Sequence, residues 1–206
     1  VHGSVEAVDL DRGVLVDGDW RKARCYVSAV PAERAAKLMP SLKIDATAFA
    51  PSSITGVHLW FDRSVTDLPH GTCLDRQIQW FFSKNNGSYL SLVISASDKL
   101  LRTGRQEIID LALRELGEFL PGVGKAKLTQ AHVVKEAKAT FCARPGLAAK
   151  RPPSRTIWPN IFLAGDWTQS GWPATMEGAV RSGYKAAEAA SQFLGCPAAF
   201  LLPDIA

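Results

Sequence analysis

The residues with the clearest chemical promise lie in one stretch near the carboxyl end. The apolar run Ile161-Phe162-Leu163-Ala164 leads into Gly165-Asp166, a Ser170-Gly171 turn follows, and a small-residue-rich helical segment opens at Pro173. In an open α/β sheet, strand ends and helix amino termini converge on the edge where extended cofactors lie. Gly165 leaves room for a ligand to approach the backbone. Asp166 supplies acceptors suited to sugar or ribityl hydroxyls. After Pro173, a further cofactor-binding candidate, the unpaired amides near Ala174, Thr175 and Met176 can donate to the partial negative charge of a ring carbonyl oxygen. The bland alternative for Asp166 is a helix cap or loop carboxylate.

Further along, Gly178, Ala179, Gly183, Ala186, Ala187 and Ala190 give the helix a face of small residues. Glycine inside a helix costs about 1 kcal/mol against alanine, so close packing on another backbone is expected. The expected partner is a glycine-rich strand and helix outside these 206 residues.

Other candidates carry less. His58, mid-strand, reads as a satisfied core histidine rather than a general acid. His2, His70 and His132 have no carboxylate or cysteine at ligand spacing, and Cys25, Cys73, Cys142 and Cys196 lie far apart, so no metal site is expected. Ser170 and Thr175 lack a nucleophile-elbow pattern, which argues against hydrolase chemistry. Arg144, Arg151 and Arg155 read as solvated, with a phosphate contact as the alternative. Trp167 and Trp172 suit either a cofactor flank or the covering of a core edge. Trp60, Phe61, Trp80, Phe81 and Phe82 read as sheet core, with a tunnel for a lipid chain as the alternative.

Stepping outward, three short strands are expected over residues 4–29, the last of them, Cys25 to Val30, apolar enough to be covered on both faces. Pro31 opens a short helix ending near Pro40. Strands at 53–61, 77–83 and 88–97 are rich in aromatic and β-branched residues and are expected to pair antiparallel. A helical repeat follows over 104–120, then a strand at about 131–141, a loop at 150–159, and the strand and long helix (about 173–194) of the opening paragraph. Strands followed by a helix, set between pieces of an α/β unit, make an α/β plus α+β fold. The expected division is 1–40, 41–141 and 142–206.

The 206 residues are 47% hydrophobic and 21% charged, an ordinary globular composition. The net charge of +4 comes from 24 basic and 20 acidic residues without a basic block, so no nucleic-acid partner is expected. No apolar run approaches the ~20 residues a membrane-spanning helix needs. Reduced cysteines and a cytoplasmic location follow as expectations. Oligomeric state is left open. The chain begins at Val1 and enters strand pattern directly, so a fragment is expected.

The segment NIFLAGDWTQSGWPATMEGAVRSGYKAAEAA resembles the carboxy-terminal FAD signature of the amine oxidase and phytoene desaturase superfamily. Its nearest likeness is to squalene-associated FAD-dependent desaturases, also called hydroxysqualene dehydroxylases. CYVSAVP, SITGVHLWFDR, ATFCARPG and TIWPNIFLAGDW extend the resemblance over nearly the whole chain. It implies a partial Rossmann-like FAD-binding domain with an inserted antiparallel-sheet substrate domain. By the same resemblance, Asp166 binds the ribityl or pyrophosphate region, and Gly165 packs beneath it. Ala174, Thr175 and Met176 present backbone to the isoalloxazine ring. Val5 meets the adenine, and Ala29, Val30 and Pro31 form the turn beside the adenosine ribose. The family's GxGxxG loop has no counterpart here, since GVGK at 122–125 follows a helix. No side chain is assigned a catalytic role.

The implied activity is FAD-dependent conversion of hydroxysqualene to squalene, in hopanoid or squalene biosynthesis, with an isoprenoid substrate and peripheral contact at the inner membrane. A carotenoid-type desaturase, an amine oxidase and a fragment without cofactor stay open as alternatives.

Overall fold

The structure, a computed structural model, describes residues 2–203. In chain order it comprises strands β1 (Val5–Asp9), β2 (Gly13–Val16), β3 (Asp19–Arg21) and β4 (Tyr26–Ser28), then helix α1 (Ala32–Leu38). Strands β5 (Pro51–Phe61), β6 (His70–Thr72), β7 (Trp80–Lys84) and β8 (Tyr89–Ser95) follow. Helix α2 (Arg105–Phe119), strands β9 (Leu128–Phe141) and β10 (Ile161–Leu163), and helix α3 (Met176–Phe193) complete the order. The chain divides into two compact units, residues 1–50 with 143–206, and residues 51–142.

The second unit is an antiparallel sheet in the order β6-β7-β8-β5-β9 with α2 on one face. Period-two alternation along β5 buries Val57, Leu59 and Phe61 and leaves Gly56, His58 and Trp60 on the other face. Helix α2 answers with Ile108, Ile109, Ala112 and Leu116. Glu115 is 8% exposed on this inward side, and its carboxylate accepts the amides of Gln77 (3.3 Å) and Ile78 (2.9 Å), which satisfies a charge that burial would otherwise penalise.

In the first unit, β1, β2 and β3 form an antiparallel meander, while β4 and β10 pair in parallel: Tyr26 opposite Ile161 and Ser28 opposite Leu163. Ala164 N extends the pairing to Ser28 O at 2.9 Å. β10 is buried throughout. β4 is not the doubly covered strand its composition predicts: Val27 is 49% exposed, because β10 is its only pairing partner among the described residues.

Two further expectations are revised. The small face of α3 is met within the chain in part: Ala186 and Ala190, with Ala189, pack on Phe162 and Ala164, while an added Cβ at Gly183 meets nothing within 4 Å. Residues 41–50 fall in the first unit, where the expected division put them with the inserted piece. Their short 3-10 turns bring Phe49 edge-on to Trp167 at 5.9 Å, and both side chains are buried.

Candidate functional site

Parallel pairing of β4 and β10 sets their two carboxyl-end turns side by side, Ala29–Pro31 after one strand and Ala164–Asp166 after the other. A side-chain bond ties them: the Trp167 indole N–H donates to Val30 O at 3.1 Å. Trp167 is 3% exposed, so it is a structural residue of this edge. It also explains Gly165. The backbone there has φ +133°, and a Cβ would stand 2.5 Å from the indole nitrogen. Close approach to the protein's own tryptophan therefore requires this glycine.

Asp166 follows, half-buried at the strand end. Burial pushes its pKa above the usual carboxylate range, while Arg151 and the amides of Trp167 and of its own residue pull the other way. Arg151 is the residue that sequence reasoning missed. Expected in solvent, its guanidinium turns inward and donates to Asp166 O, and to Trp172 O at 2.6 Å, clamping both ends of the 166–172 turn. The clue lay in fold-dependent carbonyls, which no spacing in the sequence reveals. Arg155 bonds Gln192 on α3 at 2.5 Å.

α3 begins at Met176, three residues after the expected Pro173, because Thr175 takes the N-cap position: its Oγ1 accepts the Gly178 amide at 3.0 Å. Gly178 is fixed by contact, since a Cβ there would meet Pro173 O at 2.3 Å. Pro173, Ala174 and Thr175 thus form a bent lead-in ahead of the helix, with Thr175 itself extended. The amides of Met176 and Glu177 open the first turn, and no protein acceptor for them occurs among the described residues. The Met176 side chain is 89% exposed. At the other end of the turn, the Gly165 amide donates to Ser182 Oγ on α3 at 2.7 Å, locking strand end to helix.

Val5 and Val30 come together around an apolar cavity of about 430 Å³, lined also by Val8, Val14, Leu38 and Met39. Arg34 on α1 donates to Val5 O at 2.5 Å. Pro31 stands at the N-cap position of α1. The structure therefore assembles Val5, Val30, Pro31, Gly165 and Asp166 within one unit, along with Pro173 to Met176. A half-buried carboxylate whose only nearby side-chain cation among the described residues is Arg151, beside a helix start with open amides, fits a neutral polyol and a ring bearing partial negative charge.

His58 departs from its expected place in the core. It sits on the outer face of the five-stranded sheet, half-buried, with Nδ1 at 2.7 Å from Tyr89 Oη. His132, given no role from spacing, lies opposite it on β9.

Comparison with known proteins supplies relatives of this chain. Residues 4–191 match the family described as flavin containing amine oxidoreductase. The hydroxysqualene dehydroxylase of Sinorhizobium fredii (strain NBRC 101917 / NGR234) is 38% identical over 164 residues, covering 80% of this chain and 38% of the relative. A 15-cis-phytoene desaturase of an Oncidium hybrid cultivar is 29% identical, over 92% of this chain and 35% of the relative. Among solved structures, cyclohexylamine oxidase from Brevibacterium oxydans IH-35A superposes with TM-score 0.63 at 20% identity, over 93% of this chain and 48% of that one. Reduced UDP-galactopyranose mutase gives 0.62 at 14% identity, over 93% and 46%. The chain spans under two-fifths of the length of these curated relatives and under half of these structures. The match over residues 4–191 shows the family: this chain belongs to the flavin-containing amine oxidoreductase family.

Proposed function

We propose that the chain serves an FAD-dependent oxidoreductase acting on a long isoprenoid, with hydroxysqualene reduced to squalene, a step of squalene and hopanoid biosynthesis. The first unit is read as cofactor-binding and the second as substrate-binding. The observation that carries the reading is the tied pair of strand-end turns, in which the Asp166 carboxylate and the open amides of Met176 and Glu177 belong to one clamped segment. The 38% identity to a hydroxysqualene dehydroxylase supports the choice of substrate.

In this reading Asp166 accepts hydroxyls of the ribityl chain. Gly165 leaves the turn low enough for that contact, and Pro173, Ala174, Thr175 and Met176 offer backbone to the ring. Val5, Val30 and Pro31 flank the adenosine end. The pyrophosphate-binding GxGxxG loop has no counterpart in these 206 residues, so this chain supplies part of the cradle. Bound flavin supplies hydride chemistry, and the protein's task is to orient the substrate and exclude water. An apolar product favours work at a membrane surface, reached peripherally, since no helix among the described residues is long and apolar enough to cross a bilayer.

The likeness to phytoene desaturases supports a second reading, oxidative desaturation of a carotenoid. The test offers the protein, loaded with FAD and anaerobically reduced, hydroxysqualene in liposomes, with phytoene and amines in parallel under oxidising conditions. Squalene formation is expected. Turnover of phytoene or an amine with hydroxysqualene untouched overturns it. Flotation of the same liposomes without bound protein removes the membrane contact.

A further inference from the structure

The outer face of the five-stranded sheet has a composition that the fold does not need. Its inner face carries the core, yet the register sets a second group of aromatic side chains on the opposite side. Trp60 and Tyr89, directly paired on β5 and β8, stack with ring centroids 4.7 Å apart and planes 10° apart. Trp80 and Phe82 on β7 lie nearly parallel at 6.1 Å and are 42% and 40% exposed. With His70 and Val93 they line an open, almost wholly apolar depression of about 390 Å³. The aromatic runs thus divide by alternation: Phe61 and Phe81 belong to the core, while Trp60, Trp80 and Phe82 do not.

Polar side chains interrupt this surface, Ser91, Ser95, Gln130 and His132 singly and one pair through a hydrogen bond. His58 and Tyr89 share a hydrogen bond, and His58 stands across from His132 at 6.4 Å between ring centroids. Partial burial, then the nearby His132 and Lys84, pull the His58 pKa below the usual histidine range, which keeps the ring neutral at neutral pH. A neutral imidazole bonded to a phenol keeps one N–H or O–H donor and one oxygen lone pair uncommitted, whichever tautomer is present. That is the complement of an alcohol. Beside the ring Gly56 leaves space, since an added Cβ would be 3.6 Å from His58 Nε2, an ordinary contact.

Charge narrows the choice of occupant. Between Lys84 at one end and Glu136 at the other, the register places no acidic residue, lysine or arginine on this face. Peptides and nucleic acids find no partner for their charges there, whereas an uncharged hydrocarbon bearing one hydroxyl matches both the apolar area and the polar pair. From β9 to β6 the face is four inter-strand spacings wide, about 19 Å, room for several isoprene units. We propose that this face is a binding subsite for a hydroxylated isoprenoid chain, with Trp80 and Phe82 holding the hydrocarbon and the His58–Tyr89 pair recognising the hydroxyl. The proposal rests on the isoprenoid reading above and adds the residues that select an alcohol.

Tryptophan fluorescence of the purified chain, titrated with farnesol and with the hydrocarbon farnesene, tests it. Farnesol should quench saturably, with Trp60→Phe removing most of the signal. Tyr89→Phe should weaken farnesol binding about tenfold, the worth of one hydrogen bond, and leave farnesene unchanged. Gly56→Val, which fills the space beside His58 and packs against its ring, should weaken both ligands. Absence of saturable quenching by farnesol overturns the proposal, as does unchanged farnesol affinity in both Tyr89→Phe and Gly56→Val. A dimer in sedimentation that farnesol fails to dissociate overturns it too, by showing a second copy as the occupant. FAD uptake, measured separately on the same preparation, keeps the two readings apart. Uptake without farnesol binding removes only the subsite, and farnesol binding without uptake leaves the subsite standing.

Discussion

The two units of this protein hold themselves together by different means. Residues 51–142 have a layered hydrophobic core in which Val57, Leu59, Ile78, Leu90, Leu92, Ile108 and Leu116 are fully buried. In the unit formed by 1–50 and 143–206, the packed cluster around β10 and α3 is Phe162, Ala164 and three alanines. Met39, Phe49, Ile161, Leu163 and Trp167 are buried there too, and side chains bonded to backbone add to that packing: Arg151 to two carbonyls, Trp167 to Val30, Ser182 to Gly165 and Arg34 to Val5. Area-driven burial tolerates local adjustment, whereas directional bonds fix particular atoms. The unit that carries the candidate cofactor edge adds the second method to the first, and that edge needs fixed backbone positions more than it needs bulk.

The comparison breaks first in the core. Leu59→Ala should cost about 3 kcal/mol in equilibrium urea denaturation, the range for a fully buried leucine at the centre of a sheet–helix interface. A loss below about 1 kcal/mol would mean that the second unit is looser than its packing implies. Arg151→Met tests the other method. Removing charge-assisted bonds to the Asp166 and Trp172 carbonyls should cost about 2 kcal/mol. Amide exchange should quicken selectively between Ala164 and Pro173. Uniform quickening across residues 51–142 instead would show that Arg151 is not a local clamp.

What could be read from sequence follows the same division. The 2.0 and 3.6 periodicities of β5, β8 and α2 are imposed by burial on one side, so those elements and their antiparallel pairing were legible from residue order alone. Gly165-Asp166 was legible as a strand end for the same reason. Arg151 was not, because its partners are carbonyls whose positions exist only after β10 and the following turn have formed. His58 was misplaced into the core since alternation gives two faces without saying which is covered, and it is α2 that covers the side of Val57 and Leu59. The His58 and His132 pair depends on the β5–β9 register, which 73 intervening positions conceal. Helix α3 began later than Pro173 because the Thr175 side chain offered a better stop than proline's fixed φ.

The smallest expected effect sharpens the contrast most. Asp166 is a carboxyl whose folded-state pKa lies above its unfolded value, burial being the main cause. Its contribution to stability is therefore fully present below the unfolded value of 3.8, is lost as pH rises through the folded pKa, and leaves a small deficit at neutral pH. Asp166→Asn removes the ionisation and keeps the shape. The melting temperature at pH 7 should rise by about 1–2 °C, and the gain should vanish at pH 3, while FAD affinity falls. A structural carboxylate would behave in the opposite way, losing stability at pH 7 through the broken attraction to Arg151. Destabilisation by Asp166→Asn at neutral pH, with FAD binding intact, would reassign Asp166 to the clamp and take the cofactor edge away from it. A stabilised variant that has lost the flavin would show a site whose function is maintained against the fold's own preference.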